Sequence, residues 1–212
     1  MPIPSAAVAT NTAVASTILI LPGLGNSGEG HWQTYWEQML PTARRVQQED
    51  WDAPSRQDWV ETLEAAILTT TGPVVLAAHS LGCALVAWWA QEHGHRQGQD
   101  QDSALTGKVV GALLVAPPDV ERGDFPATVR GFGPMPRIAL PFASIVVASE
   151  NDPWNALSTS QSFAADWQSE FHNIGALGHL NAASGLGDWQ QGRQWLAQLS
   201  EIKTVVLNHI SS

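Results

Sequence analysis

The chain has 212 residues, which is enough for one domain with a sizeable buried core. Its formal net charge of −10 argues against a nucleic-acid-binding protein or a protein that binds anionic membranes, because both need a positive surface. No stretch of about 18 consecutive apolar residues occurs, so the sequence predicts no transmembrane helix.

The N-terminal segment is rich in Ala, Val, Thr and Ser and carries Pro2 and Pro4. It lacks the basic stretch that begins a secretory signal peptide, so we expect a flexible tail over residues 1–16. No linker composition or internal repeat interrupts residues 17–212, which we expect to form a single domain. The single cysteine, Cys83, excludes an intramolecular disulfide and is typical of a protein in the reducing cytoplasm.

Short apolar runs in the remaining sequence predict buried strands. The strong ones cover residues 17–21, 74–78, 109–115 and 144–148, and weaker patterns cover 44–48 and 170–174. Apolar residues at helical spacing alternate with these runs. They predict helices that begin near Trp32 and Trp59, the second preceded by a capping box at Ser55, and further helices over 81–91, 158–167 and 188–199.

Strands that alternate with helices predict an α/β fold with a mostly parallel sheet and helices on both of its faces. Residues 119–142 contain several prolines and show no clear period, so we expect a long irregular loop there. Functional sites of such sheets form at the carboxyl ends of the strands. Candidate catalytic residues should therefore follow the strands directly.

The strongest motif, Ala78-His79-Ser80-Leu81-Gly82, follows the second strong strand and precedes a helix. The motif has a small residue first, Ser third and Gly fifth, with any residue between them. At this place such a pattern predicts a sharp turn that exposes a nucleophilic serine. The helix that follows would point its first backbone N–H groups at the site, so the N–H of Leu81 is a candidate oxyanion donor. The other reading is a purely structural strand-to-helix turn.

A serine needs a base and an acid that orients the base, and where the serine lies in such a strand-to-helix turn these follow it in the order acid, then histidine. Asp152 follows the strand over 144–148 and is our candidate acid, with Glu150 and Asp119 as alternatives. Asp119 lies in a Pro-Pro-Asp sequence that is more typical of a turn. His179, between glycines after the last weak strand, is the candidate base.

The remaining histidines predict no second centre. We expect His79 to pack inside the turn and His31, at the start of the first helix, to line the pocket. His93 and His95 have no evident third ligand, so we predict no metal. The glycine-rich loop after the first strand lacks a phosphate-binding motif, so we predict no nucleotide cofactor, and the N–H of Leu24 in that loop is the second candidate oxyanion donor.

Two further side chains lie close to these candidates in the sequence. Cys83 comes one helical turn after Ser80 and is expected to be a small buried residue rather than a second nucleophile. Trp154 follows the candidate acid and is expected to border the substrate, whereas the other tryptophans mostly fall at core positions.

Several motifs together resemble the small serine-hydrolase family that includes retinoblastoma-binding protein 9 and its bacterial relatives. They are Leu21-Pro22-Gly23, His31-Trp32, the Ala-His-Ser-Leu-Gly turn, Ala116-Pro117-Pro118-Asp119, Asn151-Asp152-Pro153 and Gly178-His179-Leu180-Asn181. The resemblance spans residues 17–199 and implies an α/β-hydrolase fold without a large cap domain. It also implies a Ser-Asp-His triad, which falls on Ser80, Asp152 and His179.

The sequence therefore predicts a serine hydrolase of the carboxylesterase type, which cleaves an ester, thioester or amide bond of a small substrate through an acyl-enzyme intermediate. The alternative is a non-catalytic protein-binding module on the same scaffold, because a fold does not determine a function. A small ester or a peptide-like molecule is the expected partner, and no motif indicates a particular protein partner.

Overall fold

The computed structural model describes residues 15–94 and 107–210, so most of the predicted N-terminal tail lies outside the described residues. Six strands form one parallel sheet in the order β2-β1-β3-β4-β5-β6. The strands are β1 (Thr17–Leu21), β2 (Ala43–Arg45), β3 (Val74–His79), β4 (Val109–Val115), β5 (Ala143–Ala148) and β6 (Glu170–Asn173). The predicted parallel sheet is confirmed.

In the part of the chain that the structure describes, α-helices pack on both faces of this sheet. They are α1 (Trp32–Met39), α2 (Arg56–Leu68), α3 (Leu81–Gly94), α4 (Leu157–Trp167) and α5 (Gln190–Ile210). Apolar residues of α2, α3 and α4 share one buried cluster with the sheet, and apolar residues of α1 and α5 share the other. No cap domain covers the sheet in the described part of the chain, as the sequence predicted.

Strand β1 shows why the four central strands of the sheet are almost continuously apolar. Leu19 and Leu21 belong to the cluster on the α2–α4 face, whereas Ile18 and Ile20 belong to the cluster on the α1 and α5 face. Successive side chains of a strand point to opposite faces, so a strand between two helical layers buries every residue. The strands are thereby fixed on both sides, and their carboxyl ends form a rigid base for the loops.

Two local predictions need correction or extension. Ser55 is the N-cap residue of α2, but its hydroxyl makes no capping hydrogen bond, so the predicted capping box is wrong. The Ser55 backbone instead forms an isolated bridge with Arg130, which holds the helix start against the irregular loop. Helix α5 continues to Ile210 instead of ending at Leu199. Residues 119–142 contain no helix and no strand of three or more residues, as expected.

Candidate active site

Ser80 lies in the sharp turn between β3 and α3, in a conformation that side chains rarely adopt. Its φ is +53°, in the left-handed region, and its N–H donates to the Val115 carbonyl at 2.9 Å. This backbone is strained and is held by the neighbouring strand. The motif predicted from the sequence thus forms the turn that lifts a serine above the edge of the sheet.

Close packing explains the small residues around this turn. A Cβ atom on Gly82 would lie 2.3 Å from the Leu21 carbonyl oxygen, which is far inside any allowed contact. A Cβ on Gly23, in the loop after β1, would lie 2.7 Å from the Ser80 Cβ. Ala78 is fully buried within β3, where its methyl group fits. The loop after β1 and the serine turn can therefore touch only because both positions are glycine.

The side chains of Ser80, His179 and Asp152 form one hydrogen-bonded chain. The His179 Nε2 lies 2.8 Å from the Ser80 Oγ, and its Nδ1 lies 2.9 Å from both carboxylate oxygens of Asp152. Asp152 also accepts a hydrogen bond from the Trp154 N–H at 2.9 Å, and its side chain is only 4% exposed. The three side chains follow β3, β6 and β5, as expected for a site at the carboxyl ends of the strands.

The alternative acids lie elsewhere. Glu150 accepts a hydrogen bond from the Asn173 side chain at 2.9 Å and is exposed. Asp119 accepts from the backbone N–H of Glu121 at 3.1 Å, which is the turn geometry that its sequence suggested. Of the three candidate acids, only Asp152 contacts His179 through its side chain.

A cavity of about 210 Å³ opens beside the serine. His31 and Trp154 both line it, as predicted. The sequence analysis missed six further lining residues, namely Asn26, His79, Pro118, Phe125, Pro126 and Asn181. Two of them come from the irregular loop over residues 119–142, whose course no sequence pattern indicated.

The two candidate oxyanion donors also line this cavity. Leu24 follows the glycine that touches the serine turn, and Leu81 is the first residue of α3. In the described part of the chain, the backbone hydrogen bonds outside the helices and strands include none that is donated by either of these two N–H groups. An N–H at the first position of a helix has no partner within the helix, so it is available to a ligand.

Two buried histidines beside the site are held neutral. Burial, together with the nearby Arg45 and His179, lowers the pKa of His31 to about 4. Burial is also the main reason that the pKa of His79 lies well below its usual value. His79 packs inside the turn as predicted, but its Nε2 also lies 2.8 Å from the His179 carbonyl oxygen, a contact that the sequence did not indicate.

The remaining candidates behave as buried or peripheral groups. The Cys83 thiol is buried, donates to the Val115 carbonyl at 3.4 Å, and has its pKa raised by burial, so it stays protonated. His95 lies outside the described residues, and within the described part of the chain no three His, Cys, Asp or Glu side chains form a metal-binding group. No described helix is both long and apolar enough to cross a bilayer.

The sequence and the fold were compared with those of known proteins. The serine hydrolase family matches residues 18–198. The chain belongs to this family. This serine hydrolase is also 31% identical to a YdeN-like hydrolase from Pectobacterium atrosepticum, with a TM-score of 0.73 over 89% of this chain and 92% of the other. The predicted family is thereby confirmed.

More distant structures share the α/β-hydrolase fold of this serine hydrolase. The YdeN protein from Bacillus subtilis is 18% identical, with a TM-score of 0.63 over 87% of this chain and 98% of the other. A thermophilic esterase from Thermogutta terrifontis is 16% identical, with a TM-score of 0.61 over 89% and 92%. No curated protein sequence matches the chain significantly.

Proposed function

We propose that this serine hydrolase cleaves esters whose acyl group is short and carries no charge, and that it does so through an acyl-enzyme intermediate on Ser80. The observation that carries the proposal is the continuous hydrogen-bonded chain from the Asp152 carboxylate through His179 to the Ser80 Oγ. A serine hydroxyl becomes a strong nucleophile only when a base takes its proton, and His179 Nε2 lies within hydrogen-bond distance of that proton.

The reaction proceeds in two steps. The Ser80 Oγ attacks the substrate carbonyl carbon while His179 Nε2 takes the serine proton. The leaving-group oxygen then takes this proton from His179 and departs as an alcohol, which leaves the acyl group on Ser80. A water molecule gives one proton to His179 and attacks the acyl carbon; His179 then returns this proton to the Ser80 Oγ as the carboxylic acid departs. Asp152 fixes the tautomer of His179 and stabilises its charged form.

The backbone N–H groups of Leu24 and Leu81 are the proposed donors to the oxyanion that forms on the substrate carbonyl. Both residues line the cavity that contains the serine. A single such donor typically contributes about 3 kcal/mol to the stability of the transition state. Their backbone is fixed by the glycine contact between the two loops, so the donors need no rearrangement during the reaction.

The cavity indicates the substrate class. Its volume of about 210 Å³ is below the usual range for drug-sized ligands, so it suits a short acyl group. None of the described residues that line it is Lys, Arg, Asp or Glu, and Pro118, Phe125, Pro126 and Trp154 form an apolar wall. A charged acyl group would lose its hydration there without gaining an ion pair. The esterase from Thermogutta terrifontis, which has the same fold, is an example of an enzyme that cleaves esters.

A fluorophosphonate probe tests the nucleophile directly. We expect one adduct on Ser80 by mass spectrometry, no adduct on Ser80→Ala, and an unchanged adduct on Ser144→Ala. Ser144 is the matched control because it is a buried serine that bonds to Ser169 instead of the site. A folded protein without an adduct, or an adduct that survives in Ser80→Ala, would refute the proposal. The former result would favour the non-catalytic binding module.

Turnover of matched acetyl esters, thioesters and anilides then identifies the bond that is cleaved. We expect a higher kcat/KM for the ester than for the anilide, because an aniline leaving group must be protonated before it departs and His179 alone can supply that proton. A higher kcat/KM for the thioester or the anilide would change the proposed reaction while keeping the nucleophile.

A further inference from the structure

Four side chains from separate parts of the chain hold the loop that carries His179. Each of them bonds one of four successive residues, 177 to 180. The Ser149 Oγ accepts from the Leu177 N–H at 2.9 Å, the Asn151 Oδ1 accepts from the Gly178 N–H at 2.7 Å, the His79 Nε2 donates to the His179 carbonyl at 2.8 Å, and the Trp32 Nε1 donates to the Leu180 carbonyl at 3.0 Å.

This loop needs outside support because its backbone is unusual. Gly175, Gly178 and Leu180 all have positive φ values, of 83°, 64° and 52°. Such conformations are costly for Leu180 and readily lost by the two glycines, so neighbouring groups must fix them. The side chains that bond residues 177–180 therefore determine where the His179 ring lies.

His79 differs from the other three because it acts on both ends of the proposed proton transfer. It precedes Ser80 directly in the serine turn, and it bonds the peptide group of His179 itself. The two histidine rings also contact each other, with centroids 4.9 Å apart. One buried residue thus connects the nucleophile and the base over 100 positions of sequence.

The chemistry of the bond fixes the state of His79. A carbonyl oxygen only accepts hydrogen bonds, so the His79 Nε2 must carry a proton. The low pKa that burial gives His79 leaves it neutral, with its single proton on that nitrogen. His31 packs against the His79 ring with centroids 4.6 Å apart, and the Gln33 N–H donates to the His31 Nδ1 at 3.1 Å. His79 is therefore held in one orientation as a neutral donor.

We propose that His79 is a positioning residue, whose Nε2–H bond to the His179 carbonyl sets the distance between the His179 imidazole and the Ser80 hydroxyl. The inference rests on the proposed function of Ser80 and His179. A misplacement of about 1 Å in a reacting group can cost roughly 100-fold in rate. Loss of the bond should therefore slow proton transfer and leave substrate binding nearly unchanged.

The matched pair His79→Gln and His79→Asn tests the proposal. The glutamine amide reaches the position of Nε2, whereas the asparagine amide reaches only that of Nδ1, and both are neutral donors of similar polarity. We expect His79→Asn to lower kcat on a short ester by about 10- to 100-fold with KM changed less than about threefold. We expect His79→Gln to retain most of kcat. Thermal midpoints of both variants show whether they are equally stable.

The rate of fluorophosphonate labelling at Ser80 separates this inference from the proposed function. Absence of labelling in the wild type refutes the proposed function itself. Normal labelling of the wild type, with slow labelling of His79→Asn and near-normal labelling of His79→Gln, supports the positioning role. Equal kcat and equal labelling in the two variants, whether both slow or both normal, would overturn it. If His79→Asn does not fold, His79→Met takes its place and is judged against His79→Gln by the same criteria.

Discussion

The buried, neutral state of His31 predicts how the stability of the protein depends on pH. The unfolded chain binds a proton at this histidine with the ordinary pKa of 6.5, whereas in the folded protein the pKa is lowered to about 4. Between these two values the unfolded state binds more protons than the folded state. Stability should therefore fall as the pH is lowered below 6.5 and should level off, for this group, below pH 4.

The size of this effect follows from the two pKa values. At pH 7 His31 is mostly unprotonated in both the folded and the unfolded protein, so its low pKa reduces the free energy of unfolding by only about 0.2 kcal/mol. At pH 5 the unfolded histidine is almost fully charged and the folded one is not, so the penalty is about 2 kcal/mol. Lowering the pH from 7 to 5 should thus cost roughly 2 kcal/mol of unfolding free energy through His31 alone.

Urea unfolding of the wild type and of His31→Gln at pH 7 and pH 5 measures this contribution. His31→Gln lowers stability at both pH values by a constant amount, because it removes the Nδ1 that accepts from the Gln33 N–H. Titrating groups that do not interact with His31 are common to both proteins and cancel in the comparison, whereas His79, whose pKa His31 helps to lower, contributes to the difference. We expect the wild type to lose about 2 kcal/mol more than the variant between the two pH values. A difference below about 0.5 kcal/mol would show that the histidine is not held neutral, and would refute the reasoning.

Three further predictions concern the site. Gly82→Ala should lower the free energy of unfolding by about 1–3 kcal/mol or more, because its Cβ would meet the Leu21 carbonyl. The control Gly28→Ala, with no heavy atom within 4 Å of its Cβ, should change it by less than about 0.5 kcal/mol. Equal thermal midpoints of the two variants would contradict this prediction. Asp152→Asn should lower kcat on an acetyl ester by about 10⁴-fold, and Asp119→Asn should leave it within about twofold; a large loss in the latter would reverse the assignment of the acid. The kcat/KM of p-nitrophenyl esters should fall more than about tenfold from butyrate to decanoate, and a rise would contradict the small cavity.

The strand ends and the serine turn could be predicted because their sequence signals are local. A continuous apolar run followed by a small residue, Ser and Gly indicates both the buried strand and the turn after it. Position 82 is glycine because a Cβ atom there would collide with the Leu21 carbonyl oxygen. Only the structure reveals this contact, but the sequence motif already contains the glycine that the contact requires. Asp152 and His179 could be found because parallel strands bring their carboxyl ends to one edge of the sheet.

Other features of the site could not be predicted because they depend on contacts between distant residues. The irregular loop over 119–142 has no period, so nothing in its sequence showed that Phe125 and Pro126 line the cavity. His79 was expected to pack in the turn, and its bond to the His179 carbonyl joins positions 100 residues apart. A backbone bridge between Ser55 and Arg130 likewise stands where the sequence suggested a local capping pattern.

Strand β4 contributes none of the three proposed catalytic side chains, yet it determines how the other strands bring them together. It lies between β3 and β5, so the ends of those two strands are about 10 Å apart. The carbonyl of Val115, at the end of β4, accepts the Ser80 N–H, and the next residue, Ala116, donates to the Val147 carbonyl of β5. This gap is too wide for a direct contact between Ser80 and Asp152, and one imidazole with a hydrogen bond on each side can span it. In the structure the His179 imidazole, which comes from a third loop, spans this gap, so its position depends on the side chains that hold that loop.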